Sequence, residues 1–435
     1  MSAANILSWL DNIPYTNAPM LDSGLPTTTR KLPRPLTPDS IDVVKDDSDN
    51  DTSRKGQQQD TEDQDVTPRG KRLQTNRAES HYSLTSGSSA SSRSSAQSPQ
   101  KQIKALSRVN DNIEPRELSS LRCPPQSLKE FLRTMRHVSQ GQGMLSPSIR
   151  DVISAHPDDD AAELGNPFFF SDQRDLLGHT PSLEQITEIL DAAAECQGKS
   201  HAEATWNIWV HDKLLRLALI QPGCSLWKQM IGFMPCSTAA VLSEYLPSLK
   251  IPKKVDFCIY VDPSCDEKLD RPTSQSLVST MCNRMTEGAI NHTDYAPLME
   301  RPLALSIETR KLGEGWHASI VQMSVWQAAQ WNLLDQITPP GHRADEVLDF
   351  LPGIIIQGHN WYLVITTREG KKTIYWNKLD IGATDTIEGV YKIIYGLQIL
   401  RQWARDTFWP ALRNRIAFNI KLFDESLARG TQVPA

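Results

Sequence analysis

Residues 255–261, VDFCIYV, and residues 303–311, LALSIETRK, decide the fold. The first is rich in β-branched and aromatic side chains, and both alternate with a period of two, which predicts strands. In the first, Val255, Phe257, Ile259 and Val261 share one face, and Asp256, Cys258 and Tyr260 share the other. Asp262-Pro263 ends it. In the second, Leu303, Leu305 and Ile307 lie on one face, and Ala304, Ser306, Glu308 and Arg310 on the other. Each strand thus has a fully apolar face and a second face bearing one carboxylate.

Outward from these strands the apolar spacing changes to that of helices. Residues 201–220 (HAEATWNIWVHDKLLRLALI) place Trp206, Trp209, Val210, Leu214, Leu217 and Ala218 on one stripe, and Gln221-Pro222-Gly223 stops the run. Leu128, Phe131, Leu132 and Met135 predict a shorter helix, and Pro181-Ser182-Leu183 opens another. Residues 319–337 read as a helix closed by Pro339-Pro340-Gly341. Residues 354–356, 362–367 and 373–376 read as strands, the last two joined through the turn Glu369-Gly370-Lys371-Lys372. Asp385-Thr386-Ile387-Glu388 resembles a capping box with Asp385 as the cap, before a long helix through Val390, Ile394, Leu397 and Trp403. Helices alternate with strands, so the expected class is α/β, in layers. The tryptophans 206, 209, 326, 331, 403 and 409 recur at core spacing on helices.

The rest of the chain is different in kind. Of 11 Trp in 435 residues, only Trp9 precedes residue 110, and the apolar share of 39% is low for a wholly globular chain. Asp46, Asp47, Asp49, Asp51, Asp60, Glu62, Asp63 and Asp65 form an acidic block, and residues 83–98 hold nine Ser in 16 positions. Such segments bury too little apolar area to offset the entropy of ordering. The expected organisation is a long disordered tail over 1–110, a helical lead-in over 111–180, the α/β domain over 181–420 and a tail over 421–435. Ile6, Leu7, Trp9, Leu10 and Ile13 have the spacing of a short docking helix within the first tail. Arg69, Lys71, Arg72 and Arg77 form a loose basic cluster of the kind that directs nuclear import, and Thr67-Pro68 and Ser98-Pro99 fit proline-directed phosphorylation.

Composition excludes several classes. No apolar run reaches membrane-spanning length and no secretory leader opens the chain, so no membrane partner is expected. The seven Cys are scattered without a CxxC pair, which argues against a disulfide scaffold and for an intracellular, reducing compartment. Residues 111–435 hold 32 Lys/Arg against 39 Asp/Glu, so no global field attracts nucleic acid. His211, His292 and His359 fit no compact zinc motif. No Gly-rich phosphate loop and no Gly-x-Ser-x-Gly elbow is present.

The chemistry-bearing candidates are Glu203, Asp256, Glu308, Arg310 and Gln322. Phosphodiester hydrolysis by a divalent metal needs hard oxygen donors converging on one point. Asp256 and Glu308, on the polar faces of two neighbouring strands, supply two. The Thr309 carbonyl offers a third and Glu203, from a packed helix, a fourth. Arg310, two residues past Glu308, shares its face and meets developing phosphate charge. Read singly, Asp256 is a paired strand carboxylate and Glu308–Arg310 a surface salt bridge.

Asp256 followed by Glu308-x-Arg310 on successive strands, after the Glu203 helix, resembles the PD-(D/E)XK nuclease-like superfamily. Further phrases resemble a fungal group within it: Ala204-Thr205-Trp206-Asn207 with Val210-His211, Lys254-Val255-Asp256-Phe257, Asn291-His292-Thr293, Ser306-Ile307-Glu308-Thr309, Leu351-Pro352-Gly353-Ile354 with Gln357-Gly358-His359, and Trp409-Pro410. The resemblance spans roughly residues 180–415, and residues 6–14 (ILSWLDNIP) share it. It implies a restriction-endonuclease-like core, a central mixed sheet flanked by helices. It also implies a metal-dependent nuclease acting on DNA or RNA with Mg²⁺ or Mn²⁺. Asp256, Glu308, Arg310 and Gln322 would be catalytic, and Glu203, Asp256, Glu308 and Thr309 would hold the metal. Gln322 matches a position where some members carry a Gln facing the site; a solvated helix Gln is the plain alternative. Arg310 stands where the pattern has Lys, and Lys311 points to the opposite face of a regular strand. Arginine keeps the charge but cannot act as a base. The expected activity is therefore attenuated. The alternative is a non-catalytic binding or scaffold module on the same fold.

Overall fold

The two deciding segments are strands, at Phe257–Val261 and Leu303–Arg310, and they lie side by side. The computed structural model describes residues 98–430 except 109–112, 158, 249–252, 267–270, 314, 339–342 and 345–347. Among the described residues one mixed sheet is formed by β1 (Ile113–Arg116), β2 (Ile231–Pro235), β3 (Phe257–Val261), β4 (Leu303–Arg310), β5 (Leu351–Gln357), β6 (Asn360–Glu369) and β7 (Lys372–Ala383). Their order is β1-β7-β6-β5-β4-β3-β2. β1 is parallel to β7 and β4 to β5; the other neighbours are antiparallel. Two tight turns build the β5–β6–β7 meander. Gly358 (φ +57°) and Gly370 (φ +62°) sit in the left-handed region that favours glycine.

The main helices are α1 (Pro99–Leu106), α2 (Gln126–Gln140), α3 (Leu183–Gly198), α4 over 203–219, α5 (Arg271–Cys282), α6 (Trp316–Ile337), α7 (Ile387–Trp403) and α8 (Trp409–Gly430). Ser182 caps α3 in a full capping box with Gln185. α6 lies across the face that carries Ser306, Gly353 and Thr366: Trp326 Nε1 donates to Ser306 Oγ (2.8 Å) and Trp331 Nε1 to Thr366 Oγ1 (3.0 Å). A Cβ on Gly353 would stand 2.9 Å from the Gln327 amide and 3.1 Å from the Met323 sulfur, so side chains of α6 fill the space over this glycine. α4 covers the opposite face, where His211 packs edge-on against Trp361 (5.6 Å), and α7 packs against α2, α4 and β7. With a helix layer on each face, both faces of β3 and β4 are dry. Every β3 residue is buried, and so is β4 up to Thr309. This corrects the reading of Glu308–Arg310 as a pair on an exposed sheet face.

Several expectations change. The lead-in over 111–180 is not wholly helical, because β1 lies in it and extends the sheet beyond β7. The expected tail over 1–110 gives way at α1, whose Leu106 joins a small cluster with Ile113, Val321, Val325 and Ala328. The tail expected over 421–435 is helical to Gly430. Thr386, not Asp385, caps α7: its hydroxyl accepts from the Gly389 amide, and no box forms with Glu388. Trp206, Trp326, Trp331, Trp403 and Trp409 are buried as expected, but Trp209 is 43% exposed. The cause is a π turn, Asn207–His211, inside α4. The wide turn takes up an extra residue, so Val210 and His211 face inward and Trp209 swings out. The short docking helix, the acidic block, the basic cluster and Thr67-Pro68 lie outside the described residues. No helix among the described residues is long and apolar enough to cross a membrane.

Candidate active site

The register of β3 on β4 brings the candidates together. Phe257 pairs with Ile307 and Cys258 with Ser306, and the Asp256 amide donates to the Ile307 carbonyl at 3.0 Å. The same register sets Asp256 opposite Glu308, and opposed residues of an antiparallel pair share a face. That face is the one beneath α6, so α6 supplies the third side chain, Gln322.

Three groups interlock over this face. Gln322 Nε2 donates to Glu308 Oε2 (2.8 Å), and Arg310 Nη2 donates to Gln322 Oε1 (3.0 Å). The same Arg310 nitrogen is ion-paired with Glu308 Oε1 at 2.7 Å. Asp256 is tied separately: Thr309 gives its Oδ2 both the backbone amide (2.8 Å) and the hydroxyl (3.0 Å). Thr309 therefore acts here through its N–H and O–H. Glu203, in the first turn of α4, is near enough that its charge pushes the Glu308 pKa upward. Lys311 turns away and donates to the Ser200 carbonyl at 3.3 Å.

The electrostatics follow from burial. Glu308 has no solvent exposure, and desolvation holds its carboxyl well above the usual range. The Asp256 charge pushes the same way, while Arg310 and the Gln322 hydrogen bond act against it. Asp256 is also raised, by burial first, with the two Thr309 bonds and Arg310 opposing. Two acids on one face, each pushed toward its neutral form by burial, mark this face as the candidate site.

Residues that the sequence did not single out complete the surroundings. Lys253 precedes Asp256 by three positions; burial lowers its pKa, and it feels both Arg310 and Glu308. Cys236 of the β2 end and Cys258 of β3 place their thiols 2.7 Å apart in the core beside the acids. Burial pushes the Cys236 thiol well up, so it is no nucleophile. The histidines do not join the acids. His292 is fully buried with its ring against Trp326 (4.5 Å), and His211 bonds Asn207 Oδ1 at 2.9 Å. Burial lowers both to about 3. His359 Nδ1 pairs with Thr384 Oγ1 at 3.0 Å.

Among the described residues no group of three or more His, Cys, Asp or Glu side chains is disposed to hold a metal ion. Magnesium needs fewer: it is commonly held by one or two carboxylates with water and substrate phosphate completing the shell. The decisive atom is Glu308 Oε1, which is buried and has no hydrogen-bond donor despite its ion pair. A buried carboxylate oxygen held only by the Arg310 ion pair, beside a second raised carboxylate, suits a hard dication, and Arg310 is the group that competes for it.

A family model described as PD-(D/E)XK nuclease superfamily matches residues 152–409, more than half of the chain. No curated protein and no solved structure matches the chain.

Proposed function

The chain belongs to the PD-(D/E)XK nuclease superfamily, and from that premise we propose that Asp256 and Glu308 form a divalent-metal phosphodiesterase site for DNA or RNA, restrained by Arg310. The observation that carries this reading is the pair of acids on one face, Glu308 fully buried and Asp256 opposite it, whose ionised forms both want a cation. Asp256, Glu308 and the Thr309 carbonyl, with Glu203 alongside, are the groups that would hold Mg²⁺ or Mn²⁺. When bound, the cation supplies Lewis-acid polarisation of a phosphoryl oxygen. The chain's own part is positional and electrostatic. Thr309 fixes Asp256, Gln322 fixes Glu308 and Arg310, and Arg310 offers a planar fork to phosphate charge. Arginine cannot take a proton from water, so turnover is slow.

The latch Arg310–Gln322–Glu308 favours one second reading, a non-catalytic binding or scaffold module, because it neutralises Glu308 without metal. Calorimetric titration of Mg²⁺ and Mn²⁺ into the protein, paired with cleavage of labelled single- and double-stranded DNA and RNA, separates the two. Binding that disappears in Asp256→Ala and Glu308→Ala, with cleavage following the same pattern, supports the phosphodiesterase. A wild type and an Arg310→Lys variant that bind neither cation install the module instead.

A further inference from the structure

The π turn of α4 does more than interrupt a helix. It exposes Ile208 (66%) and Trp209 (43%) next to each other, and Leu312, at 52%, is a third large apolar side chain in the open at this corner. The Trp209 ring leans on His201, centroids 5.2 Å apart and planes tilted by 46°. His201, Ser200, Trp206, Lys311 and Leu312 line a cavity of about 200 Å³.

This cavity adjoins the acids through the chain itself. Lys311 follows Arg310 directly, and Ser200 and His201 lie just before Glu203. The Lys311–Ser200 bond ties the end of β4 to the start of α4. Glu203, two residues past His201, is near enough for its charge to act on Glu308, so a strand of nucleic acid whose phosphate reached Arg310 would have this corner beside it. The volume is below that of drug-sized pockets, room for one flat ring.

We infer that this corner is a base-stacking subsite, and that the substrate of the proposed phosphodiesterase presents unpaired bases: single-stranded DNA or RNA. The inference rests on that proposed activity for the word substrate, but not for binding. Charge supports the choice. Duplex is gripped mainly through phosphates by an array of Lys and Arg, and residues 111–435 carry more acid than base. Single strands add a term that duplex withholds, the stacking of a free base on an aromatic ring. Trp209 on His201, with Lys311 at the cavity, supplies that term and a local cation. A duplex keeps its bases stacked on one another and has no ring to give.

The test is fluorescence anisotropy in EDTA, with the full chain and short labelled oligo(dT), oligo(U) and a duplex of equal length. Single strands should bind better than the duplex. Trp209→Ala should weaken single-strand binding roughly tenfold or more, while Trp209→Phe, which keeps a stacking face, should lose much less. The dT and U arms distinguish DNA from RNA. Duplex preference, an unchanged Trp209→Ala, or no binding to any strand overturns the inference. Single-strand binding that depends on Trp209, without cleavage in any metal, leaves the subsite standing and removes the phosphodiesterase. Cleavage that ignores Trp209 and strandedness does the reverse.

Discussion

At Glu308 the cost of ionisation is set by burial, and its pH dependence follows. Below the ordinary glutamate value of 4.5 the carboxyl is protonated in both folded and unfolded chains. As pH rises, the unfolded chain ionises first, and folded stability falls until pH passes the raised native value. Glu308→Gln removes this loss. The variant should melt above the wild type at about pH 8, with the gap closing as pH drops to about 4.5. Arg310, 23% exposed, turns to water when its partner is gone. His211 and His292, lowered to about 3, pull the other way: they contribute stability that is lost as pH falls from about 6.5. The difference between variant and wild type cancels them, so melting curves of both across that pH range test Glu308 alone; a gap that is constant with pH refutes the account. Arg310→Lys should free Glu308 Oε1, tighten Mg²⁺ binding by calorimetry, and raise any cleavage rate by up to roughly a hundredfold, the worth of one good charge contact. Equal or weaker Mg²⁺ binding in that variant contradicts the competition. Asp256, Glu308, Arg310 and Gln322 are legible in the sequence because period two and the following helix put them near one another. Lys253 and Cys236 are not, because their nearness depends on how chain from outside the two deciding segments is laid against them; Cys258 is legible on the Asp256 face, but its contact with Cys236 is not.

Elements are read from periodicity, and they fail where periodicity is broken locally. α3, α6 and α7 follow their apolar spacing, and their ends lie within a few residues of expectation. α4 does not, because a π turn changes the phase of its buried face without changing composition; the stripe that put Trp209 in the core assumed 3.6 residues per turn throughout. The cap of α7 lies one residue later than the sequence suggests for a similar reason. Asp and Thr are both good caps, and only backbone geometry says which one faces the open amides. Thr386→Ala should therefore destabilise by about 1 kcal/mol and Asp385→Ala by almost nothing. Urea denaturation of the two variants checks it, and the opposite ranking refutes the assignment. α1 and β1 carry little signal in the sequence because they are short and follow a polar stretch. Leu106, 1% exposed, is their link to α6. Leu106→Ala should cost about 2–5 kcal/mol, the range for a buried Leu truncation; a loss under 0.5 kcal/mol would mean that α1 is not seated on α6.

On the scale of the molecule, the sheet closes on a strand from outside both the expected domain and the matched family region. β1 pairs with β7 through Ile113–Thr373, Glu114–Ile374, Pro115–Tyr375 and Arg116–Trp376, and Glu114 is clamped by Arg116 and Lys372. Without β1, the unbonded groups along that flank of β7 become a template for another chain. A chain beginning at residue 118 should therefore self-associate, whereas one beginning at residue 98 should stay monomeric; sedimentation of both decides, and two monomers refute the role given to β1. The order of synthesis adds a further consequence. β1 leaves the ribosome early, and its partner among the described strands, β7, is made after β2 to β6. The earliest strand must wait, unpaired, until nearly the whole domain has been translated, and its parallel pairing then closes a very long loop. Such non-local contacts are slow to form, so the nascent chain spends its longest vulnerable interval with β1 open to capture by chaperones or by its neighbours on the same message.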